Sequence, residues 1–403
     1  MLASEITTDF AGKRGPLLML ALKTSMLTVL TLGIYRFWMK TRLRRYYWSS
    51  VRPGGAPLEY VGEPIEKLLG FLIAVVVMAF YLGIVNLVLM FVSFSFFQNN
   101  TVAYALSFMG VVPIWFYALY RARRYVLART RWRGIRFALE PGAWGYAIAA
   151  LWHWALTILS AGLLWPRMTF KLEKYRTDRT FYGDHRLTQG GRWTMLFRAA
   201  IPTLVSALLI AGGIGGVVLD TTDYSLSSRI DYDLSILYFV ALGIGLLAFP
   251  FTLIHYRVKA LQLLTRHKTA GELGLNLEPS TARVTAIVMF GNTVAFLIVF
   301  GAVFIFSVVM VFGARGMDIE LLVATGDLPA WVLTIIALIT YFFVFVLWGV
   351  LRHIFVTQPL WRHYAEVLTV TSAPHLAGVQ QRDRDAHREA EGFAEALDLG
   401  AAI

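Results

Sequence analysis

A chain of 403 residues with 57% hydrophobic and only 15% charged residues lies outside the usual composition of soluble proteins and within that of membrane proteins. It contains no cysteine, which excludes a disulfide framework, thiolate zinc sites and a cysteine nucleophile. The net charge of +12 allows two interpretations: a nucleic-acid partner, or Lys- and Arg-rich loops on the cytoplasmic side of a membrane.

Eight apolar runs follow one another along the chain, and each is about long enough to cross a bilayer, which takes about 20 helical residues. They are residues 17–34, 68–97, 103–120, 144–165, 194–219, 234–256, 284–313 and 329–351. Aromatic and basic residues, and no small-residue cleavage site, follow the first run. We therefore expect this run to stay in the mature chain.

The loops between the runs differ in their content of Lys and Arg. Three loops hold seven such residues each: 36–67, 121–143 and 166–193. Three others hold none or one: 98–102, 220–233 and 314–328. The positive-inside rule places the three rich loops in the cytoplasm and the three poor loops outside.

This assignment conflicts with eight crossing helices. A crossing run at 144–165 would place the rich loops before and after it on opposite sides of the membrane. We therefore predict an all-α polytopic membrane protein with six transmembrane helices, in which 17–34 and 144–165 are re-entrant or interfacial segments. Eight spans are the alternative, and both topologies place the two termini in the cytoplasm.

A short motif recurs along the chain: Tyr, then Thr five positions later, then Gly within four residues of the Thr. Its two full copies hold Tyr125, Thr130 and Gly134, then Tyr175, Thr180 and Gly183. Two looser copies hold Tyr46 and Gly55, with Val51 at the Thr position, then Thr265 and Gly271, with Ala260 at the Tyr position. The pattern predicts an internal repeat with cores near 43–62, 122–140, 172–189 and 258–278.

Each copy is typical of a helix that leaves the membrane. Interleaved Arg, Lys, Tyr and Trp place charged groups and amphipathic rings at the level of the lipid headgroups. We expect the Gly to end the helix with a positive φ and the next residues to form a short strand. Four such helix–Gly–strand modules would pair their strands into a small cytoplasmic sheet.

The segments TLGIYRFW, RRYYW and RRYVLARTRWRGIRF resemble the YjgN family of bacterial inner-membrane proteins, which is catalogued as a domain of unknown function. The resemblance extends from FAGKRG, which starts at residue 10, to the ending EGFAEALDLG. It implies a multi-pass protein of the bacterial inner membrane with this repeated layout. It implies no activity, substrate or catalytic residue.

The candidate site residues are the repeat positions, for which we expect a structural role first and contact with lipid or ligand second. They are Arg45, Tyr46, Gly55, Arg124, Tyr125, Thr130, Gly134, Tyr175, Thr180, Gly183, Thr265 and Gly271. His153 is a possible intramembrane polar site, since ionisable groups at membrane depth tend to be functional. No catalytic residue, cofactor or metal site is predicted, because neither the histidines nor the acidic loop at 220–233 shows ligand spacing.

Two functions remain open, and no motif points to an enzyme. One is a transporter or channel for an unknown solute, favoured by the repeat, the re-entrant segments and the prolines Pro113, Pro166 and Pro250 near helix ends. The other is a non-catalytic membrane module whose basic, aromatic helix ends bind anionic lipids or a cytoplasmic partner. Nucleic acid is not expected, because the cations follow helix ends. We expect residues 1–375 to form the membrane domain and 376–403 a charged, flexible cytoplasmic tail.

Overall fold

A computed structural model describes residues 5–97, 100–222, 232–314 and 330–382. The chain divides into two compact units. The first unit consists of Met1–Thr7, Ile65–Thr285 and Val367–Ile403. The second consists of Thr8–Pro64 and Ala286–Glu366.

The described residues form eleven α-helices and ten short strands. The helices are α1 Arg14–Leu30, α2 Arg36–Ser50, α3 Pro64–Phe97, α4 Asn100–Ala128, α5 Ala143–Leu159, α6 Trp165–Thr177, α7 Phe197–Thr222, α8 Tyr232–Arg266, α9 Thr281–Ala314, α10 Ala330–Arg352 and α11 Gln358–Glu366. The strands are β1 Glu5–Phe10, β2 Val51–Pro53, β3 Leu58–Tyr60, β4 Thr130–Trp132, β5 Ile135–Leu139, β6 Thr180–Tyr182, β7 His185–Gln189, β8 Lys268–Ala270, β9 Leu273–Leu277 and β10 Leu368–Thr371.

Five helices in the described residues are long and apolar enough to cross a membrane: Pro64–Phe96, Trp193–Leu219, Ser235–Arg266, Thr281–Val309 and Ala337–Glu366. Each overlaps a run that the sequence predicted to cross. The sixth predicted span, 103–120, falls within α4, and the side chains of 101–109 lie outside the described part of the chain.

The fold is mostly helical, as predicted, but the helices end at an antiparallel sheet that is larger than the small sheet of four strands expected from the repeat. In the first unit the strands pair in the order β1-β10-β9-β8-β7-β6-β5-β4. In the second unit, residues Thr8–Phe10 of β1 pair with β2. Several strands are only three residues long, which gives too little alternation for a sequence pattern to fix their number and bounds.

Glycine occupies the turn of each strand hairpin, not the end of the preceding helix as predicted. Gly134 lies between β4 and β5 with φ +79°, Gly183 between β6 and β7 with φ +58°, and Gly271 between β8 and β9 with φ +60°. Gly55 has φ +77° between β2 and β3. Two-residue hairpin turns require a positive φ, which glycine adopts without steric cost. The observed order is therefore helix, strand, Gly, strand.

Two pairs of shorter helices begin and end at strands that pair with each other. Helix hairpin one consists of α1 and α2; it lies between β1 and β2, where Phe10 is paired with Val51. Helix hairpin two consists of α5 and α6; it lies between β5 and β6, where Leu139 is paired with Thr180. The chain therefore leaves and returns to the same sheet edge around each helix hairpin.

These four helices are short compared with the helices that are long enough to cross a membrane. Helices α1 and α5 have 17 residues each, whereas α7 has 26 and α8 has 35. At 1.5 Å per residue, a 17-residue helix is about 25 Å long, slightly less than a hydrocarbon core of about 30 Å. The tips of both helix hairpins are tight turns in which Gly33 and Gly162 have positive φ.

The prolines do not interrupt the long helices. Helix α4 continues through Pro113 and α8 continues through Pro250. Pro166 lies in the first turn of α6, where its missing N–H has no intrahelical partner to lose. The discontinuous helices that the prolines suggested are therefore absent at Pro113 and Pro250.

Buried side chains hold each unit together. In the first unit, a cluster from α4, α5 and α6 includes Phe116, Tyr146 and Met168, and its neighbour from α6, α7 and α8 includes Phe170 and Tyr256. In the second unit, Leu17 and Ala21 of α1, Leu43 and Tyr47 of α2, and Val350 and Ile354 pack together. Both helix hairpins are thus packed into the cores of their units.

Candidate functional site

Three helices of the first unit end close together at the sheet, and charged side chains from their ends meet there. Glu173 and Arg176 lie in the last turns of α6, Arg123 lies near the end of α4, and Lys268 opens β8 directly after α8. We call these four residues the Glu173 cluster.

Three cations surround the single carboxylate of this cluster. Lys268 Nζ lies 2.6 Å from Glu173 Oε1, and Arg176 Nη2 lies 2.6 Å from Glu173 Oε2. Arg123 Nη2 lies farther away, at 3.7 Å from Oε1. The Glu173 and Lys268 side chains are 12% and 13% exposed, while those of Arg123 and Arg176 are 34% and 30% exposed. The carboxylate and the lysine are therefore the less accessible part of the cluster, and the two arginine side chains are the more accessible part, which we call the rim.

The charges of the cluster do not balance. Burial by itself would raise the pKa of the Glu173 carboxyl, but Lys268, Arg176 and Arg123 outweigh it and hold this pKa well below its usual range. The carboxylate is therefore ionised, and three cations against one anion leave an excess of two positive charges. The Nε atoms of Arg123 and Arg176 are buried without a hydrogen-bond partner among the described residues. A buried donor left unpaired costs about 1–3 kcal/mol, so the cluster favours an additional acceptor.

Tyrosine rings support the cluster from within the unit. The guanidinium of Arg176 lies 5.8 Å from the centre of the Tyr146 ring. Tyr146 in turn packs against Tyr120 and Tyr175, with ring centres 5.4 Å and 5.7 Å away. The Tyr120 hydroxyl donates a hydrogen bond to the Glu140 carbonyl at 2.6 Å. These contacts fix the position of α6 against α4 and α5.

The predicted repeat tyrosines make structural contacts near the starts of other helices. Tyr175 donates to the Gly142 carbonyl, directly before α5, at 2.9 Å. Tyr46 donates to the Lys13 carbonyl, directly before α1, at 2.6 Å. Tyr125 is only 2% exposed and donates to Glu66 Oε2 of α3 at 3.0 Å, so its ring is covered by the protein itself.

The other predicted repeat residues also contact the chain itself. Thr130 and Thr180 each donate to the carbonyl four residues earlier, at 2.8 Å. Arg124 donates to the Leu139 carbonyl at 3.1 Å, and Arg45 donates to the Gly62 carbonyl at 3.0 Å. Thr265 is buried near the end of α8. A ligand-binding role for these residues stays a prediction.

His153 lies in α5, half-buried between the exposed Trp152 and Trp154. Its Nδ1 atom has no hydrogen-bond partner among the described residues. Its functional role also stays a prediction. The side chains of the acidic loop, from Asp220 to Asp233, lie outside the described part of the chain.

The sequence reasoning missed the Glu173 cluster. Its four residues come from three separate segments, and Glu173 and Lys268 are 95 positions apart. The one available signal was Glu173 itself, a single acidic residue among cations in the segment KLEKYR. The residues predicted instead, Tyr175 and Thr180 of the repeat motif that follows, make structural contacts.

The start of the C-terminal region is held against the turn between β6 and β7. Asp184 accepts a hydrogen bond from the Gln380 N–H at 3.0 Å, and its own N–H donates to the Gln380 carbonyl at 2.9 Å. Arg382 lies 4.5 Å from the centre of the Phe181 ring. The flexible tail predicted from residue 376 therefore does not begin before Arg382, and residues 383–403 lie outside the described ones.

Comparison with known families now identifies the chain. The profile of DUF898, a family described as bacterial proteins of unknown function, matches residues 5–396. The chain belongs to this family. The resemblance to the YjgN family is thereby confirmed, because DUF898 and the YjgN family are the same. Comparisons with curated proteins and with solved structures found no significant match. With its apolar helices, this DUF898 chain is a bacterial membrane protein of a family without an assigned activity.

Proposed function

We propose that this DUF898 protein is an inner-membrane protein with six crossing helices and two re-entrant helix hairpins, and that its basic sheet side binds anionic lipid headgroups at the cytoplasmic face. The excess of two positive charges in the partly exposed Glu173 cluster carries the lipid proposal. No catalytic step is part of it.

The pairing of β5 with β6 supports the six-span topology. These strands belong to the two Lys- and Arg-rich loops that flank the run 144–165. Paired strands cannot lie on opposite sides of a bilayer, so this run returns to the side from which it entered. The pairing of β1 with β2 supports the same conclusion for the run 17–34.

The exposed surface of the helix hairpins supports their insertion into lipid. At the tip of hairpin two, Leu159 is 84% exposed, and Trp152 on the same helix is 62% exposed. At the tip of hairpin one, Leu32 is 88% exposed. A contiguous apolar surface of this kind is unusual in water, whereas hydrocarbon accommodates it.

The two helix hairpins make the same hydrogen bonds at equivalent positions, which supports the internal repeat. In hairpin one, the N–H of Gly33 donates to the Thr28 carbonyl at 2.7 Å. In hairpin two, the N–H of Gly162 donates to the Thr157 carbonyl at 2.7 Å. The bonds from Tyr46 and Tyr175 likewise both span 33 positions. Each residue of hairpin one thus has its equivalent 129 positions later in hairpin two: Tyr175 follows Tyr46 by 129 positions, and Gly162 follows Gly33 by the same number.

The distribution of cations supports a cytoplasmic sheet. Strands β4 to β7 of the first unit lie in two of the Lys- and Arg-rich loops, 121–143 and 166–193, and the positive-inside rule assigns such loops to the cytoplasm. Each Lys or Arg near an anionic membrane surface contributes about 1 kcal/mol of attraction. Because β1 and β10 pair in the same ladder, both termini are proposed to be cytoplasmic as well.

Cysteine labelling in intact cells tests the topology, since the chain has no native cysteine. We expect Ser227→Cys to react with a membrane-impermeant reagent from outside, and Glu272→Cys, in the exposed β8–β9 turn, to react only after permeabilisation. Leu159→Cys, at the tip of hairpin two, should react in neither case because lipid covers it. Labelling of Leu159→Cys from outside would contradict the re-entrant hairpin, and labelling of Glu272→Cys from outside would contradict the cytoplasmic sheet.

The stability of the purified protein in defined lipids tests the lipid proposal. We expect a higher apparent melting temperature in nanodiscs of phosphatidylglycerol than in nanodiscs of phosphatidylcholine, followed by the fluorescence of the 12 tryptophans. The difference should shrink in about 1 M salt, where the Debye length is about 3 Å. Equal melting temperatures in the two lipids at low salt would contradict the proposal.

A transporter or channel is the second candidate. Two re-entrant hairpins that repeat the same contacts are elements from which transporters build a binding site. Transporter sites are typically formed by discontinuous helices, whereas α4 continues through Pro113 and α8 through Pro250, which counts against this candidate. Solute uptake into vesicles that contain the protein would distinguish it from a binding module.

A further inference from the structure

We propose that the Glu173 cluster is a binding site for a single phosphate-type oxyanion. The inference deepens the proposed function and rests on it, because it assigns the general attraction for anionic headgroups to one built site. The chemistry that the site recognises is a phosphate group, whether it belongs to a lipid headgroup or is free in solution.

Two of the three cations each bind one oxygen of the Glu173 carboxylate. Lys268 occupies its Oε1 atom and Arg176 its Oε2 atom, both at 2.6 Å. Arg123, at 3.7 Å, is too far for a hydrogen bond to the same carboxylate. Arg123 is therefore close enough to interact electrostatically with the cluster. Its N–H groups make no hydrogen bond to Glu173 and remain available for another anion.

The donors of the rim match a phosphate. A guanidinium offers its N–H groups as a planar fork, which fits two oxygens of a phosphate. The side chains of Arg123 and Arg176 are each about one-third exposed, beside the nearly buried Lys268, while their Nε atoms are buried. The excess of two positive charges equals the charge of a phosphate monoester dianion and exceeds that of a diester.

Stabilisation of helix ends does not account for all of these cations. The favourable effect of a cation on a helix C-terminus is confined to the last turn. Arg123 lies five positions before Ala128, where α4 ends, and so lies more than one turn away. A bound anion gives this third cation a role that the helix dipole does not.

The first test uses inorganic phosphate and the full-length protein in an uncharged detergent. We expect phosphate to raise the apparent melting temperature in a saturable manner, and potassium chloride of equal ionic strength to have no such effect. Arg123→Gln should weaken the response to phosphate at least tenfold in concentration. This substitution leaves the 2.6 Å pairs of Glu173 in place.

Arg266→Gln is the matched control, because Arg266 also lies near one carboxylate, at 3.8 Å from Glu278, but is exposed outside the cluster. It should respond to phosphate as the wild type does. Arg123→Lys keeps the charge and loses the fork, so it should respond in an intermediate way even if Arg123→Gln does not fold. A response to phosphate that is the same in Arg123→Gln or Arg123→Lys as in Arg266→Gln would overturn the site.

The second test distinguishes the source of the phosphate group and uses nanodiscs with phosphatidic acid. If the wild type no longer responds to free phosphate there, a lipid headgroup fills the site; if the response persists, the site takes soluble phosphate. Either result requires that Arg123→Gln weaken the response to phosphate in detergent at least tenfold, as in the first test. A preference for phosphatidylglycerol that survives in Arg123→Gln, without a phosphate response in the wild type, would remove this site and leave the general lipid proposal standing.

Discussion

Replacing Glu173 with Gln is expected to lower the free energy of unfolding by about 3 kcal/mol, the largest loss expected from any single neutral substitution in the Glu173 cluster. The carboxylate is nearly buried and holds two cations at 2.6 Å, with a third at 3.7 Å. A neutral amide leaves these three positive charges facing one another. The measurement is thermal unfolding of the purified protein in detergent, followed by tryptophan fluorescence.

Glu278→Gln is the control for this substitution. Glu278 is 56% exposed and pairs with Arg266 at 3.8 Å, so its loss should cost at most about 1 kcal/mol. Equal losses in Glu173→Gln and Glu278→Gln would show that the cluster does not contribute through its buried charge. Phosphate should stabilise Glu173→Gln more than the wild type, because the excess positive charge of the cluster has grown by one.

The difference in free energy of unfolding between the wild type and Glu173→Gln depends on pH in a way that follows from the depressed pKa of Glu173. A carboxyl whose pKa is lowered by folding contributes stability above its unfolded pKa, about 4.3 for Glu, and loses that contribution as the pH falls through the folded value. The folded pKa lies well below the usual range, so the contribution of Glu173 should be constant from about pH 5 upward. A difference between wild type and Glu173→Gln that changes between about pH 6 and pH 8 would contradict this assignment.

The sequence predicted the parts of the fold that depend on continuous segments. The apolar run 284–313, for example, corresponds to α9, Thr281–Ala314. The count of cations also predicted that the loops before and after 144–165 lie on one side, as the pairing of Phe137 with Tyr182 now supports. Charge asymmetry is a property of each loop, so it needs no knowledge of tertiary contacts.

What the sequence did not predict depends on contacts between distant segments. Arg123, Glu173 and Lys268 meet only because α4, α6 and α8 end at alternate strands of one sheet, β4, β6 and β8. The position of glycine was misjudged for a related reason. A positive φ at Gly134 or Gly183 suits a helix end and a hairpin turn equally well, and only the pairing of the strands decides between them.

The second large effect of a substitution is expected at the contact between residues 379–382 and the β6–β7 turn. Gly183→Ala is expected to release residues 379–382 from the β6–β7 turn. A Cβ atom at Gly183 would lie 2.3 Å from the Gln380 carbonyl oxygen and 2.9 Å from Val379 Cγ1, so the tail backbone must move. Two hydrogen bonds between Asp184 and Gln380 would be lost, at a net cost of about 1 kcal/mol each.

Gly134→Ala separates this clash from backbone strain. Gly134 also has a positive φ in a hairpin turn, but nothing lies within 4 Å of the Cβ position that Ala would occupy there. Both variants therefore carry the strain of alanine at a positive φ, and only Gly183→Ala displaces the tail. Hydrogen exchange followed by mass spectrometry should show the amides of Asp184 and Gln380, the donors of these two bonds, exchanging roughly 30-fold faster in Gly183→Ala, the equivalent of about 2 kcal/mol. Exchange in Gly134→Ala should match the wild type, because the contact between Asp184 and Gln380 is untouched. Equal exchange in the two variants would mean that the tail is held by contacts other than the close approach at Gly183.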